Sequence, residues 1–342
     1  MTHKFTLAAA ALTATALPAF AEGTLNIFNF GLYTPPDLIE KFEKTYDVDV
    51  TVTEFDTNET ALAKIEAGGH GFDIVLVSAS IMPVYLEKNL LLKSEPGKME
   101  NFKHVSEPWA NVPWDPERAY TAPWVEGYTG VMVNRDVYDG DIDTSAIFLD
   151  PPEELKGTIN VMPQMAEVMD LAIMYVGGEP CTSDKDILRA AQDKLLEAKP
   201  DWVSIDYVSF EKLINEDVQA TVFWNGASIR IRAENDGFEF GYPKEGFLKW
   251  QDNIAILADA RNVENAKLFQ NFIMDPENAA LVSNYTGYTN GITGSEEFMD
   301  AALLAAPELN LPDEFADKAV FQTSCSPEVQ DLYSRIWTNV TK

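Results

Sequence analysis

The chain alternates short apolar runs with amphipathic segments at helical spacing. The first run, Leu25–Phe28, is rich in strand formers, and a polar, glycine-containing loop over 29–34 follows it. The pair Pro35-Pro36 comes next. The first turn of a helix accepts proline, because the N–H groups there have no intrahelical partner. The pattern predicts strand, loop and helix, with Phe30 and Tyr33 in the loop beyond the carboxyl end of the strand.

The same alternation fills the first hundred residues. Strands are predicted at 48–55 and Asp73–Val77, and the second of these ends at the small polar loop Ser78-Ala79-Ser80. A helix capped by Thr57 or Asn58 lies between them, and another helix follows the loop. The order βαβαβα is typical of a mainly parallel sheet with helices on both faces. In such sheets ligands bind beyond the carboxyl ends of the strands.

A second α/β unit follows a proline-rich loop over Asn101–Arg118, and two strands, Thr121–Trp124 and Thr129–Asn134, lead out of the first unit. Its predicted strands are Thr158–Met162, Trp202–Ile205, Gln219–Trp224, Phe238–Tyr242 and Asn253–Leu257, and its predicted helices are Ala166–Val176, 187–196, Val263–Met274, Pro276–Tyr285, Ser295–Ala305 and Pro327–Val340. No repeat or low-complexity linker separates the units. The sequence therefore predicts an α/β fold of two lobes, joined by crossing strands, with a cleft between them.

The first residues, Met1–Ala21, have the features of a secretory signal peptide. Lys4 precedes an apolar run over 5–17, and Ala19-Phe20-Ala21 supplies small residues at a cleavage point. The run is shorter than the ~20 residues that a membrane-spanning helix needs. No later segment is long and apolar enough to be one. We therefore predict an exported protein of a bacterial periplasm.

The net charge restricts the partners. The chain has 25 Lys+Arg against 55 Asp+Glu, a formal charge of −30. Removal of the signal peptide deletes Lys4 and no acid, which leaves 24 against 55, or −31. Nucleic acid and anionic membranes are poor partners for such a surface, whereas a cationic ligand is attracted to it. Solubility in salty surroundings also explains most of this charge, so a binding site has to be argued from its own residues.

The chain contains two cysteines, Cys181 and Cys325. In an oxidising compartment such an isolated pair favours one disulfide. Closing so long a loop would add roughly 4–5 kcal/mol on the chain-entropy model. Two unconnected thiols are the alternative.

Motifs for catalysis and metal binding are absent from the sequence. It has no G-x-S-x-G, H-E-x-x-H, G-x-G-x-x-G or phosphate loop. Its three histidines are separated, and one lies in the predicted signal peptide. The acidic run 139–143 begins like a calcium loop, yet Thr144 stands where that loop needs glycine. We predict no catalytic residue, no metal and no cofactor; a periplasmic enzyme is the alternative that we favour less.

Aromatic rings and carboxylates recur near the predicted strand ends instead. Trp224 ends one strand, Trp250 and Asp252 directly precede another, and Tyr288 lies in a Thr-Gly-Tyr-Thr loop. An aromatic face attracts an ammonium group, and a carboxylate adds a charge-assisted hydrogen bond. Rings along a methylene chain and acids at its nitrogens suit an extended aliphatic amine. Core packing is the alternative for each tryptophan.

These residues lie in segments that resemble the periplasmic spermidine/putrescine-binding proteins of ABC transporters, and the resemblance runs from Leu25 to the C-terminus. The segments are NFGLYTPPDLIEKFEK, FDTNETALAKIEAGGHGFDIVLVSAS, DTSAIFLDPPEELKG, FWNGA, YPKEGFLKWQDNIAIL and TGYTNG. The resemblance implies the type II periplasmic binding protein fold, with mainly parallel central sheets in two lobes joined by hinge strands. It implies a cleft that closes on a polyamine, and a permease and ATPase that receive the ligand. We expect a monomer, with residues 24–128 plus 253–297 in lobe 1 and 129–252 plus 298–342 in lobe 2.

The resemblance also implies ligand-binding residues. They are Phe30, Tyr33, Ser78, Ser80, Glu126, Glu167, Trp224, Trp250, Asp252, Tyr288 and Gln322. Gln164 stands where spermidine-type members carry a second acid, and Ala227 stands where putrescine-type members carry one. Glu126 falls where the family more often has an aromatic residue, and it replaces a missing acid if it faces the cleft. The polyamine class is therefore expected, and the particular amine stays open.

Other solutes are the nearest alternatives: a quaternary amine, an aminophosphonate or a metal complex. A sensor's ligand-presenting subunit is another alternative. A group of arginines in the cleft would favour an anion. The pair in Arg230-Ile231-Arg232 is the only local candidate, and we predict that it lies on the surface.

Overall fold

The computed structural model describes residues 23–208 and 210–342, and the predicted signal peptide lies outside them. Within these residues one sheet contains ten strands. The strands are β1 (Gly23–Phe30), β2 (Val48–Phe55), β3 (Ile74–Ser78), β4 (Thr121–Asn134), β5 (Ile159–Val161), β6 (Trp202–Ile205), β7 (Ala220–Trp224), β8 (Phe238–Gly241), β9 (Phe247–Ile256) and β10 (Ala319–Phe321). The helices are α1 (Pro36–Tyr46), α2 (Asn58–Glu66), α3 (Met82–Glu87), α4 (Glu107–Ala110), α5 (Ala146–Leu149), α6 (Met165–Tyr175), α7 (Lys185–Ala198), α8 (Phe210–Ile214), α9 (Asn225–Glu234), α10 (Val263–Ile273), α11 (Pro276–Thr286), α12 (Ala301–Leu304) and α13 (Pro327–Thr341).

The sheet has two parallel parts with two antiparallel strands between them. Its order is β2-β1-β3-β9-β4-β7-β5-β6, with β10 beside β9 and β8 beside β4. Strand β1 is parallel to β2 and β3, and β5 is parallel to β6 and β7. The pairs β3–β9, β9–β4 and β4–β7 are antiparallel. The predicted α/β class and the joining of two parallel units by crossing strands are confirmed.

The two long strands, β4 and β9, pass between the two larger of the three hydrophobic cores in the described residues. The first core draws on residues 25–125 and 250–292, and the second on 131–248 and 329–340. On β4 the change falls between Val125 and Val131; on β9 it falls between Leu248 and Trp250. Because β3 pairs with β9 and β7 pairs with β4, these two long strands connect the parallel units. The ends of the strands of both units therefore face the same region.

The first helices form for the reasons that the sequence suggested. Helix α1 begins at Pro36, and Leu38 and Phe42 bury its apolar face. Helix α2 is capped by Thr57, whose hydroxyl accepts from the backbone N–H of Thr60 at 3.0 Å. The capping prediction is thus confirmed for Thr57, and the loops before both helices are fixed at the carboxyl ends of β1 and β2.

Three strand predictions were too short. Strand β1 continues through Phe30, because its parallel pairing with β2 extends to Phe55. The two strands predicted at 121–134 are a single strand, β4, with an irregular register between Pro123 and Glu126. Strand β9 begins at Phe247 and therefore contains Trp250 and Asp252. Polar residues in that stretch suggested a loop, but their side chains find partners and the ladder of backbone hydrogen bonds continues.

Other local predictions need correction. The loop over 101–118 contains the short helix α4, and the helix expected at Ser295–Ala305 is divided into a 3-10 turn, Ser295–Glu297, and α12. Helix α9 and strand β10 were not predicted. Helix α9 directly follows Trp224. Its sequence has polar and arginine residues at positions where an amphipathic helix would have apolar ones, so no helical pattern indicated it.

The predicted disulfide between Cys181 and Cys325 is present, with 5.1 Å between the two Cα atoms. It ties the segment before α7 to the segment before α13. In the described part of the chain, no group of three or more His, Cys, Asp or Glu side chains is arranged to hold a metal ion. A helix both long enough and apolar enough to cross a bilayer is likewise absent from the described residues.

Candidate functional site

A cavity of about 650 Å³ lies where the ends of β1 and β3 face α6, β7 and α9. Its volume is that of a small-molecule site. Except for Glu126, every predicted ligand-binding residue lines it: Phe30, Tyr33, Ser78, Ser80, Glu167, Trp224, Trp250, Asp252, Tyr288 and Gln322. Gln164 and Ala227, which stand where members of the family carry acids, line the cavity as well. The fold thus brings together side chains from segments that are far apart in the sequence.

Asp252 is one of two buried carboxylates in the cavity wall. It is 4% exposed and pairs with Ser78 across the β3–β9 ladder. The hydroxyl of Ser78 donates to Oδ1 at 2.6 Å, and the hydroxyl of Tyr33 donates to Oδ2 at 2.7 Å. Burial raises the pKa of Asp252 to about 6, although both hydrogen bonds act in the opposite direction. The acid is held in place by these two hydrogen bonds, and a positive charge nearby would favour its ionised form.

Glu167, in the first turn of α6, is the second buried carboxylate. The hydroxyl of Thr129 donates to its Oε2 at 2.5 Å, and the indole N–H of Trp224 donates to the same oxygen at 3.0 Å. Burial raises the pKa of Glu167 to about 7, against the effect of these two bonds; the charge of Asp252 raises the pKa further. Both bonds go to Oε2, so Oε1 carries neither of them.

Aromatic rings form the walls around these acids. Tyr288 meets Trp250 edge-on with ring centroids 5.0 Å apart, and it meets Tyr33 at 5.8 Å. Trp224 stacks on Tyr207 at 6.1 Å with an interplanar angle of 25°. Flat faces and ring edges on both sides of the acids make a slot that suits a slender aliphatic chain.

This packing requires glycine at the start of α9. A Cβ built on Gly226 would lie 2.4 Å from Cδ1 of Tyr288, whose ring is confined by Trp250 and Tyr33. We expect Gly226→Ala to lower the free energy of unfolding by roughly 1–3 kcal/mol through overpacking, and to weaken ligand binding by displacing the ring. Chemical denaturation and calorimetry measure the two effects. Combined with Tyr288→Leu, Gly226→Ala should cost less than the sum of the two single losses; strictly additive losses would show that the ring is not the obstacle.

The structure corrects the prediction for Glu126. Its carboxylate forms a salt bridge with Lys249 at 3.1 Å and accepts from the side-chain amide of Gln251 at 3.0 Å. Glu126 pairs with Gln251 across the β4–β9 ladder, directly after the irregular register of β4. Neither Glu126 nor its two partners on β9 line the cavity, so Glu126 does not replace a missing acid there.

Several residues of the cavity wall were not predicted from the sequence. Asp170 lies one turn after Glu167 on α6, and burial raises its pKa to about 6. The hydroxyl of Tyr333 donates to Asp170 at 2.7 Å, and the backbone N–H of Cys181 donates to that hydroxyl at 2.9 Å. The helical spacing between the two acids was the signal that could have found Asp170. Tyr207 could have been found by its place just after strand β6.

The arginine pair in Arg230-Ile231-Arg232 was predicted on the surface, and this is wrong for one member. Arg230 lines the cavity, whereas Arg232 forms a bidentate pair with the buried carboxylate of Glu308 at 2.5 and 2.9 Å. Both residues lie on α9, two positions apart, so they point in different directions from the helix.

The family follows from the sequence match. The sequence model of the family of bacterial extracellular solute-binding proteins matches residues 37–310. The chain belongs to this family. The solute-binding protein is 28% identical over 339 residues to the spermidine/putrescine-binding periplasmic protein of Escherichia coli, covering 98% of this chain and 92% of the relative. It is also 28% identical to the putrescine-binding periplasmic protein PotF of the same organism, covering 98% of this chain and 96% of the relative.

Solved structures show the same fold. An ABC-transporter protein from Listeria monocytogenes superposes on the solute-binding protein with a TM-score of 0.86 and 29% identity, covering 93% of this chain and 98% of the other. A lipoprotein of Treponema pallidum superposes with a TM-score of 0.82 and 24% identity, covering 93% of this chain and 99% of the other. The type II periplasmic binding protein fold expected from the sequence is thus confirmed, and the family is one of transport proteins.

Proposed function

We propose that this protein captures an aliphatic polyamine of the putrescine/spermidine class in the cavity and delivers it to an ABC import permease of the inner membrane. The observation that carries the proposal is the pair of buried carboxylates, Glu167 and Asp252, in a cavity walled by aromatic rings. The names of the curated relatives support it. We propose further that the protein is periplasmic and monomeric, binds no nucleic acid, uses no metal or cofactor, and is not an enzyme.

The acids suit an ammonium ligand for an electrostatic reason. Burial raises the pKa of Glu167 to about 7 and that of Asp252 to about 6, so neither acid is fully ionised in the free protein at neutral pH. An ammonium group that reaches them restores the full charge and forms charge-assisted hydrogen bonds. The rings of Trp224 and Trp250 then cover the methylene groups and the cationic ends.

Closure of two lobes over the ligand is part of the proposal. Lobe 1 comprises residues 24–128 plus 253–297, and lobe 2 comprises 129–252 plus 298–342. The two hydrophobic cores support this division, although Trp250 packs in the first core. Closure buries the ligand charge against the acids, whereas a closed, empty cavity would leave buried carboxylates without a counter-charge.

The test is a panel of ligands. We expect putrescine, cadaverine, spermidine, spermine or agmatine to raise the thermal unfolding midpoint of the purified protein, because a ligand that binds only the folded state stabilises it. Calorimetry then ranks the amines by dissociation constant. The matched control is 1,4-butanediol, which has the length of putrescine and no charge, and should not bind. Binding by none of the five amines would reject the proposal.

The proposal predicts that binding strengthens as the pH rises. Ammonium binding needs ionised acids, and the free acids have pKa values of about 7 at Glu167 and about 6 at Asp252, both raised by burial. Binding therefore releases protons, and the association constant rises between pH 5.5 and 7.5 by at least about tenfold. Calorimetry in buffers of different ionisation enthalpy counts the released protons. A pH-independent constant would show that neither acid contacts the ligand's ammonium.

A further inference from the structure

The cavity contains a permanent positive charge as well as its acids. Arg230 is the one lysine or arginine among the described residues that line the cavity, and it follows Ala227 by three positions on the same face of α9. The acidic side chains that line it include Glu167, Asp170 and Asp252. A site for ammonium groups alone gains nothing from a guanidinium, since like charges repel.

Among the described residues, the Arg230 guanidinium has no acidic partner. In the part of the chain that the structure describes, no carboxylate forms a salt bridge with it, and its buried Nε has no hydrogen-bond acceptor. The group lies 4.7 Å from the ring of Phe210, which supports it from one side. Arg232, two residues on, shows the contrast, because both of its hydrogen bonds go to Glu308. An arginine beside several acids that pairs with none of them leaves its donors available to a ligand.

The charge of Arg230 acts on two tyrosines of the cavity wall. Burial raises the pKa values of the Tyr33 and Tyr288 hydroxyls, and the positive charge of Arg230 acts in the opposite direction on both. Asp252, in contrast, raises both. The two tyrosines therefore lie in the fields of an acid and an arginine at once, and the cavity has a negative part at Glu167 and Asp252 and a positive part at Arg230.

We propose that Arg230 forms a carboxylate subsite, so that the cavity also accepts an aliphatic amine with a carboxylate at its other end. The inference rests on the proposed function, because the amine end uses the same acids, Glu167 and Asp252. The guanidinium fork matches a carboxylate with two parallel hydrogen bonds, and the aromatic slot covers the methylenes between the two charged ends.

Calorimetry with three five-carbon ligands tests the subsite. Cadaverine carries two ammonium groups, 5-aminopentanoate carries one ammonium and one carboxylate, and pentylamine carries one ammonium only. We expect 5-aminopentanoate to bind more tightly than pentylamine, with 4-aminobutanoate and 6-aminohexanoate measuring which length fits best. Arg230→Met should weaken 5-aminopentanoate binding roughly 10- to 100-fold, the effect of losing hydrogen bonds to a charged group. The same variant should strengthen cadaverine binding, because a like charge is removed.

Two further variants complete the design. Arg230→Lys keeps the charge without the fork and should retain part of the preference for the carboxylate. Arg189→Met removes the same charge from an exposed position on α7 and should leave both ligands unaffected. Thermal unfolding without ligand verifies that each variant is folded. Equal weakening of cadaverine and 5-aminopentanoate by Arg230→Met would overturn the subsite, as would cadaverine binding without any aminocarboxylate binding; the proposed function then still stands. Failure of these ligands and of all five amines of the panel to bind would overturn both proposals.

Discussion

Replacing Glu167 by glutamine is expected to weaken polyamine binding by roughly 100- to 5,000-fold, since removal of one partner from a buried charge pair costs about 3–5 kcal/mol. Glutamine has the same shape, and its carbonyl oxygen can accept the bonds that Thr129 and Trp224 now donate to Oε2. The change thus removes the charge with little effect on packing. Asp252→Asn is expected to act in the same direction. Calorimetry with the best ligand of the panel measures both losses.

The free protein should respond in the opposite way. Burial raises the pKa of Glu167 from its ordinary value of 4.5 to about 7, so this acid destabilises the fold once the pH exceeds 4.5, and the penalty is complete above 7. At pH 8 Glu167→Gln should raise the free energy of unfolding without ligand by up to about 3 kcal/mol. Affinity falls while stability rises, a combination that simple damage to the fold does not produce.

Glu126→Gln is the matched control. It makes the same chemical change at an acid that pairs with Lys249 outside the cavity, so ligand affinity should stay within about twofold of the unmodified protein. Equal losses from Glu126→Gln and Glu167→Gln would point to the overall negative charge as the cause. Unchanged affinity in Glu167→Gln would remove this acid from the site.

Removing the disulfide is expected to have the largest effect on stability. Cys181 and Cys325 are 144 residues apart, and a bridge across such a loop restricts the unfolded chain by roughly 4–5 kcal/mol on the chain-entropy model. The double variant Cys181→Ser with Cys325→Ser should lose about that much free energy of unfolding. Denaturation followed by circular dichroism measures the loss.

Ligand binding should weaken with the bridge as well. The backbone N–H of Cys181 donates to the Tyr333 hydroxyl, which donates to Asp170 in the cavity wall, and Cys325 itself lines the cavity. A reducing agent is the control: it should lower the stability of the unmodified protein and leave the double serine variant unchanged. If the free energy of unfolding of the double variant falls by less than about 1 kcal/mol, the unfolded chain gains little conformational freedom when the disulfide is removed.

The sequence predicted local structure well where one residue pattern had one explanation. Pro35-Pro36 marked the start of α1, Thr57 marked the cap of α2, and the buried run from Ile74 marked β3. Prediction failed where polar residues continue a strand. Aspartate is uncommon inside strands, so Asp252 suggested a loop. It nevertheless lies inside β9, where the hydroxyls of Ser78 and Tyr33 donate hydrogen bonds to its carboxylate. Its partners are 174 and 219 residues away, so no local pattern contains them.

The candidate site shows the same division. Resemblance and strand-end position named the acids and rings, and all of them except Glu126 line one cavity. The predictions for Glu126 and Arg230 were both wrong. The acid expected in the cleft forms a salt bridge with Lys249, and the arginine expected on the surface lines the cavity. On α9 and on β4 after its irregular register, sequence spacing alone does not fix which neighbour a side chain meets.

By itself the sequence determined the alternation of strands and helices, the presence of a single cysteine pair, and the residue types available for binding a cation. These follow from the 3.6-residue and two-residue periods and from side-chain chemistry, which act over short distances along the chain. Only the tertiary structure decided the lengths of β4 and β9, the hydrogen bonds and raised pKa values of Glu167 and Asp252, and the place of Arg230 among them. Each of these depends on burial and on partners from distant segments, which exist only once the chain has folded.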